Sequence, residues 1–218
     1  MRINKYLALK KISTRRGADE LIKAKKVFIN NKLALLGSQV EESDSVEVRG
    51  AKKTEYKYFV YNKPVGTETN SPREDLFPLG RLDKNSHGLL ILTNDGRITD
   101  QLLNPKYFHE KEYVVRTSNK LRSSFQKKME AGVNIEGYQT KPCKVKIINE
   151  NTFRIILTEG KKHQIRRMCS ALFQEVADLK RERIMNIKLE KLGPNGLKEI
   201  KGKELKIFLE SLSLTNGV

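Results

Sequence analysis

One acidic residue stands in a setting that suits catalysis. The stretch from Gly80 to Gly96 reads GRLDKNSHGLLILTNDG, in which Asp83 follows Arg81 by two residues and precedes the apolar run 89–93. A carboxylate at the mouth of a buried strand, flanked by glycines that let a ligand or another backbone come close, suits a catalytic acid. The bare spacing also fits a turn, because most aspartates in such a setting only bond their own backbone.

The composition indicates a polyanionic partner. Forty-three Lys and Arg against 26 Asp and Glu give a formal charge of +17, in a chain that is 38% hydrophobic and therefore able to fold. An excess of this size favours binding to RNA or DNA, although any single basic cluster also fits an ordinary solvated surface.

Several other classes of protein are disfavoured. No apolar run approaches the roughly 18 residues of a membrane span, and residues 1–5 open an amphipathic pattern rather than a signal peptide, which predicts a cytosolic protein without a membrane partner. Cys143 and Cys169 lie far apart, and His87, His109 and His163 form no metal-binding pair. A disulfide framework or a zinc site is therefore not expected.

Residues 1–50 have the pattern of a small helix, helix, hairpin and strand module. Apolar spacing predicts a helix over residues 2–10, Ser13 is the predicted N-cap of a second helix, and alternating strands follow at 27–34 and 46–48. Eleven basic and six acidic residues give this module a charge of +5. Two of the basic residues, Arg15 and Arg16, stand in the first turn of the second helix, where a bound phosphate would offset their unfavourable interaction with the helix dipole.

The segment RINKYLALKKISTRRGADELIKAKKVFINNKLA resembles the small RNA-binding domain first known from ribosomal small-subunit protein four. The resemblance implies that Arg15, Arg16, Lys25 and Lys26 face RNA. A small α/β module with an ordinary charged surface is the alternative.

A polar linker is predicted at 51–56, followed by a larger domain at 57–218. Strands are expected at 57–61, 89–93, 109–115 and 175–184, and the recurrence of Leu121, Phe125 and Met129 predicts a helix that Gly132 ends. A further helix begins at Lys161, and an amphipathic helix begins at about residue 203. The predicted fold class is α+β, with a mainly antiparallel mixed sheet flanked by helices.

The groups available for chemistry are carboxylates, tyrosines and guanidinium groups, because the sequence contains no P-loop, dinucleotide fingerprint or GxSxG motif. The complete string from Gly80 to Gly96 closely resembles the motif around the catalytic aspartate of the pseudouridine synthases that modify ribosomal RNA. Their reaction breaks the bond from ribose C1′ to uracil N1, turns the uracil and joins C1′ to C5. Nothing is added or lost, so no cofactor is expected.

The resemblance assigns three catalytic residues. Asp83 acts either as a nucleophile at C1′ or as a base at C2′, a choice that the sequence leaves open. Arg166, in HQIRRM, pairs with Asp83 and keeps it charged, and a planar guanidinium is expected to grip the carboxylate at two points. Tyr113, in EKEYVV, stacks on the extruded base. Without the resemblance, Tyr113 would be read as core and Arg166 as a phosphate contact.

Further residues complete the predicted site. Arg81 contacts RNA or fills the space that the base has left, although a surface ion pair is the alternative. Leu179 and Ile184 are expected to wall the uracil pocket. The remaining predicted RNA-binding residues are Lys63, Lys161, Lys162, Arg167, Arg181 and Arg183.

The segments KPCKVKIINENTFRIILTEGKKHQIRRM and LKRERIMNIKL are most similar to the branch of the family that acts on large-subunit (23S) ribosomal RNA, known by the letter F. The expected partner is a stem-loop of ribosomal RNA bound by a monomer, and transfer RNA stays open as a second target. Two alternatives are kept: a synthase acting on small-subunit (16S) RNA, and a non-catalytic RNA-binding factor in ribosome assembly.

Overall fold

The computed structural model describes residues 1–10, 12–49 and 55–212. These residues divide into two compact units, one formed by Met1–Lys57 with Thr93–Thr99 and the other by Tyr58–Leu92 with the chain from Asp100 onward. Most of the linker predicted at 51–56 lies outside the described residues. None of the described helices is long and apolar enough to cross a bilayer.

The N-terminal unit contains two helices and a three-stranded antiparallel sheet of order β2-β1-β3. The elements are α1 Ile3–Leu9, α2 Arg15–Lys23, β1 Val27–Ile29, β2 Lys32–Leu33 and β3 Val46–Val48. The apolar faces of both helices pack on the sheet in one buried cluster.

The second helix of this unit has a different cap from the one predicted. Thr14 is the N-cap, and its hydroxyl accepts a hydrogen bond of 3.0 Å from the backbone N–H of Gly17. Ser13 is buried instead, and a Cβ at position 17 would lie 2.4 Å from its hydroxyl oxygen. The glycine therefore leaves room for the serine, and the capping function passes to the next residue.

The second unit is built on a nine-stranded sheet. Seven strands follow the order β10-β11-β7-β12-β6-β4-β14, with β13 paired to β12 and β5 paired to β6. The strands are β4 Tyr58–Lys63, β5 Phe77–Leu79, β6 His87–Thr93, β7 Lys111–Thr117, β8 Asn134–Ile135, β9 Tyr138–Gln139, β10 Lys144–Asn149, β11 Thr152–Leu157, β12 Val176–Ile184, β13 Ile187–Lys188 and β14 Leu197–Glu199. The short strands β8 and β9 form a separate hairpin.

Helices accompany this sheet, which confirms the predicted α+β class. They are α3 Ile98–Leu103, a 3₁₀ turn at Pro105–Tyr107, α4 Phe125–Glu130, α5 Gln164–Ala171 and α6 Gly202–Ser211. Apolar residues of α4 and α5 share one buried cluster with β7, β10, β11 and β12. Helix α4 starts four residues after the predicted Leu121, because the backbone N–H of Leu121 bonds to the carbonyl of Glu150 at 2.7 Å.

The backbones of the parallel pair β6–β12 approach each other closely at Gly88. Gly88 stands beside Arg181 in the register, with φ at +103°. A Cβ on Gly88 would lie 2.3 Å from the carbonyl oxygen of Arg181. Only glycine fits this position, because a side chain would force the two strands apart.

Replacing Gly88 with alanine is expected to lower the free energy of unfolding by about 3 kcal/mol or more, from backbone strain and the clash with β12. Gly137→Ala is the matched control, since Gly137 also has a positive φ, +82°, but no atom of the described part of the chain lies within 4 Å of its added Cβ. It should lose only about 1–2 kcal/mol. Urea titrations measure both, and equal losses would contradict the close-approach argument.

Candidate active site

Asp83 lies in a short turn that leads into β6. The turn is closed by a hydrogen bond of 3.0 Å from the backbone N–H of Ser86 to the carbonyl of Asp83. Leu82, the residue before Asp83, is held by the hydroxyl of Thr69. This hydroxyl donates to the Leu82 carbonyl at 2.7 Å and accepts from the Leu82 N–H at 3.0 Å. The Asp83 side chain is 31% exposed, so the carboxylate is accessible yet fixed in position.

Lys63, at the end of β4, holds the same turn from inside. Its ammonium donates to the carbonyl oxygens of Ser86 at 2.7 Å, Pro64 at 2.9 Å and Lys84 at 3.4 Å. The side chain is fully buried. Burial lowers the pKa of Lys63, and the negative charges of Glu68 and Asp83 oppose that shift. The ammonium therefore acts as an internal anchor for the backbone around Asp83.

Two side chains, a guanidinium and an imidazole, approach the Asp83 carboxylate. Nε of Arg166 lies 3.8 Å from Oδ2, and Nε2 of His163 lies 3.3 Å from Oδ1. The two-point grip expected of Arg166 does not occur, because its Nη atoms donate elsewhere: Nη2 to the Asn85 carbonyl at 2.9 Å and the Ser86 hydroxyl at 3.2 Å, and Nη1 to the Val176 carbonyl at 3.2 Å. Arg166 thus joins α5, the turn and the start of β12.

A buried carboxylate positions the segment that carries His163. Glu159 is 2% exposed and accepts hydrogen bonds from the Tyr138 hydroxyl at 2.7 Å, the Lys141 N–H at 3.0 Å and the Gln164 amide at 2.7 Å. His163 follows in a left-handed conformation, with φ at +52°, immediately before α5. These bonds fix the entry into α5 and with it the imidazole beside Asp83.

A cavity of about 680 Å³ opens next to the turn. Asp83 and Tyr113 both line it, as do Leu179 and Ile184, which are 5% and 1% exposed. Its walls come from the turn, from β7 and β12, and from the entry to α5. The volume lies within the range of about 300–1,000 Å³ that is common for small-ligand sites, which is large enough for an extruded nucleotide.

The register of β7 and β12 explains which residues face the cavity. Tyr113 stands directly opposite Arg181, and Lys111 stands opposite Ile184. Directly opposed residues in antiparallel strands project from the same face, so these four side chains lie together. All four line the cavity.

A β-bulge between Arg181 and Arg183 turns the second arginine away. Arg183 instead donates to Glu112 at 2.7 Å, to Glu110 at 2.9 Å and to the Met185 carbonyl at 2.7 Å. Without the bulge, alternation would place both arginines on one face. The strand therefore divides them, with one in the cavity and one in an ion-pair cluster.

Three predicted RNA-binding residues need correction. Lys63 and Arg181 are 0% and 3% exposed, so neither reaches an RNA backbone at the surface. Arg183 has its guanidinium bonded to two carboxylates, which neutralise the charge that a phosphate contact requires. Sequence reasoning failed here because a lysine or arginine is exposed by default, and the internal acceptors that bind these cations are brought together only by the fold.

The other predicted RNA-binding residues have varied positions. Arg167 bonds Glu136 at 2.7 Å and the Ile135 carbonyl at 3.0 Å, so it braces the β8–β9 hairpin. The remaining members are exposed: Arg81, Lys161 and Lys162 at the cavity, and Arg15, Arg16, Lys25 and Lys26 in the N-terminal unit.

Other chemistries find little support among the described residues. Burial raises the pKa of both thiols, Cys143 and Cys169, to about 12, so neither is a thiolate at neutral pH. Within residues 1–10, 12–49 and 55–212, no group of three or more His, Cys, Asp or Glu side chains is placed to hold a metal ion.

Comparison with known proteins decides the family. The model described as RNA pseudouridylate synthase matches residues 57–171, and the S4 domain model matches residues 1–46. The chain belongs to the RNA pseudouridylate synthase family. The resemblance drawn from its sequence motifs is thereby confirmed, and the protein is an RNA pseudouridine synthase with an N-terminal S4 domain.

Two curated relatives and one solved structure illustrate the match. The synthase is 40% identical over 207 residues to Dual-specificity RNA pseudouridine synthase RluF of Escherichia coli K12, covering 87% of this chain and 71% of the relative. It is 34% identical over 230 residues to Ribosomal large subunit pseudouridine synthase B of Bacillus subtilis 168, covering 94% of each. A crystal structure titled as a pseudouridylate synthase superposes with a TM-score of 0.71 at 27% identity, covering 97% of this chain and 99% of that one.

Sequence reasoning about the synthase assigned no role to Lys111, Glu159 or His163. Lys111 precedes Tyr113 by two residues in a strand, so the alternation of side chains was a usable signal that both face the same cavity. His163 precedes Arg166 by three residues at a helix start, which also favours a shared side. The network of Glu159 depends on contacts across the fold and left no signal in the sequence.

Lys63→Met is expected to lower the free energy of unfolding of the synthase by about 3 kcal/mol, because it leaves buried carbonyl oxygens without a donor. It should also slow conversion of uridine, since the turn that carries Asp83 loses its anchor. Lys84→Met is the matched control, because Lys84 is an exposed lysine of the same turn. Denaturant unfolding and a pseudouridine assay measure the two effects. Equal behaviour of the two variants would show that the internal ammonium does not hold the turn.

Proposed function

We propose that this synthase converts a uridine of large-subunit ribosomal RNA to pseudouridine in the cytoplasm, with Asp83 as the catalytic carboxylate. The observation that carries the assignment is the position of Asp83 beside Arg166 and His163, at the edge of a cavity that is also lined by Tyr113. The names of two relatives support the RNA target, since one is a large-subunit enzyme and the other a dual-specificity RNA enzyme. The proposed substrate is a stem-loop, bound by a monomer.

The surroundings of Asp83 suit either route of the reaction. A nucleophile at C1′ and a base at C2′ both require an ionised carboxylate. The Arg166 guanidinium lies 3.8 Å from one oxygen of Asp83, and the His163 imidazole lies 3.3 Å from the other. The turn is held by Lys63, Thr69 and Arg166, so the carboxylate has little freedom to move away from the reacting carbon.

The cavity residues suit an extruded base. Turning a nucleotide out of its stack costs a few kcal/mol, which stacking on Tyr113 would offset. Leu179 and Ile184 offer apolar walls to the faces and edge of a uracil ring. Arg81 is exposed at the same cavity, where it can contact the RNA from which the base has been withdrawn.

The N-terminal unit is proposed to supply much of the RNA affinity. Arg15 and Arg16 are exposed in the first turn of α2. That first turn contains no acidic residue that would compete with a phosphate. Lys25 and Lys26 are exposed directly after the same helix. Lys161 and Lys162 provide further positive charge at the cavity.

Asp83→Asn is expected to reduce isomerisation by at least about 10³-fold, because the amide is neither a nucleophile nor a base. RNA affinity should stay unchanged or rise slightly, since a negative charge near phosphates has been removed. Asp178→Asn is the matched control, because Asp178 is an acid of the same sheet that pairs with His87. Mapping the positions of pseudouridine in ribosomal RNA measures this activity and identifies the target uridine. Full turnover by Asp83→Asn would refute the catalytic assignment.

Arg15→Gln combined with Arg16→Gln should weaken RNA binding and reduce the slope of log affinity against log salt by about 1.5, the value expected for two lost phosphate contacts. Turnover at saturating RNA should not change. The control is Lys201→Gln with Lys206→Gln, which removes the same charge from exposed positions at the C-terminal helix. An equal change of slope in both proteins would mean that only net charge matters.

A further inference from the structure

Two cations in the cavity have no acidic partner among the residues that the structure describes. Arg181 is 3% exposed, and its Nε donates to the Leu89 carbonyl at 2.7 Å while its Nη2 is buried without a hydrogen-bond partner. Lys111 lines the same cavity from the adjacent strand. Among the ion pairs of the described residues, none involves either side chain. An unsatisfied N–H on a buried guanidinium that lines a cavity marks the place of an acceptor on a ligand.

The pKa of Lys111 is consistent with a site that lacks its counter-charge. Burial, together with the smaller effect of the neighbouring charge of Arg181, lowers this pKa to about 8. Because the folded pKa lies below that of the unfolded chain, protonated Lys111 destabilises the fold at pH values below 8, and this effect is relieved as the pH rises towards 10.5. A lysine kept in a position that reduces stability is better explained by function than by packing.

We propose that Lys111 and Arg181 bind the carbonyl oxygens of the extruded uracil and hold the negative charge that the ring carries after its bond to ribose breaks. This inference rests on the proposed roles of Asp83 and Tyr113 at the same cavity. Tyr113 stands directly opposite Arg181 and two residues from Lys111, so a ring stacked on the tyrosine presents its edge to both cations.

The charge follows from the chemistry of the step. When the bond from C1′ to N1 breaks, its electron pair stays on the ring and spreads over N1, O2 and O4. In one route the Asp83 carboxylate forms a bond to C1′; in the other it takes a proton from C2′. The ring then turns and its C5 bonds to C1′, as the carboxylate leaves C1′ or the proton returns to C2′. Loss of the C5 proton and gain of one at N1 complete the isomerisation.

Uracil fits the pair better than a phosphate does. The cavity walls beside the two cations are Tyr113, Leu179 and Ile184, which are flat or apolar surfaces suited to a ring. A phosphate keeps a strongly bound hydration shell and is better met by exposed groups. The other ionisable groups that face the cavity are Arg81, Asp83, Glu159, Lys161, Lys162 and His163.

The test is Lys111→Met in the 218-residue chain, assayed on an RNA stem-loop under single-turnover conditions. The rate constant should fall about 100-fold, the usual effect of losing one group that stabilises developing charge, while RNA affinity should fall far less because the ground-state base is neutral. The variant should unfold at a higher temperature at pH 7, which shows that it folds. Lys146→Met, an exposed lysine of edge strand β10, should keep the wild-type rate.

The pH profile separates this role from a structural one. Wild-type kcat/KM, which reports the free enzyme, should decline above a pH of about 8 as Lys111 loses its proton. Lys111→Arg should move that decline to higher pH and restore part of the rate, because a guanidinium stays charged. The ionisation of the substrate itself is the same for both proteins.

The outcomes distinguish the proposals. A full rate in Lys111→Met, with Asp83→Asn inactive, would overturn the uracil-anion site and leave the proposed function intact. Activity in Asp83→Asn would refute the proposed function instead. Weaker RNA binding by Lys111→Met with a salt slope reduced by about 0.7–0.9 would assign the pair to a phosphate and also overturn the inference.

Discussion

The contact between β6 and β12 at Gly88 determines where the groups of this site lie. The turn with Asp83 runs directly into β6, and the strand that carries Arg181, Leu179 and Ile184 is β12. Because the two strands meet backbone to backbone, the carboxylate is held at a constant distance from the cavity wall. The ammonium of Lys63 and the guanidinium of Arg166 then stop the turn itself from shifting.

Much of the architecture was predictable from local pattern. The apolar run of β6, the alternation in β7 and β12 and the stripes of the helices each carry their own periodicity, so their existence followed from composition and spacing. The assembly of these elements into one site could not be predicted from composition and spacing. Asp83 and Arg166 are far apart in the chain, and only the resemblance to a known family brought them together before the fold was known. The structure differs from the prediction at the N-cap of α2, predicted at Ser13, and at the start of α4, predicted at Leu121. In both places, contacts made by the folded chain outweighed the local preference.

The charge of the chain illustrates the limit of sequence reasoning. A net charge of +17 correctly indicates a polyanionic partner, but it says nothing about the task of any one cation. In the structure these cations fall into different classes. Lys63 binds backbone carbonyls inside the protein, Arg183 is neutralised by acids, and Arg15 and Arg16 face solvent. Which class a residue joins depends on the acceptors around it, and those are assembled by the fold.

The bulge in β12 bears on how this strand tolerates changes in length. At this bulge Glu182 has no partner in β7, since Arg181 pairs with Tyr113 and Arg183 with Glu112. Loss of the Glu182 codon would therefore yield a regular ladder in which Arg181 and Ile184 keep their present sides. Loss of Lys180 would instead rotate Leu179 out of the cavity wall, because each residue before the gap would change faces. Deletion of the Glu182 codon would thus preserve the cavity wall, whereas deletion of the nearby Lys180 codon would disrupt it.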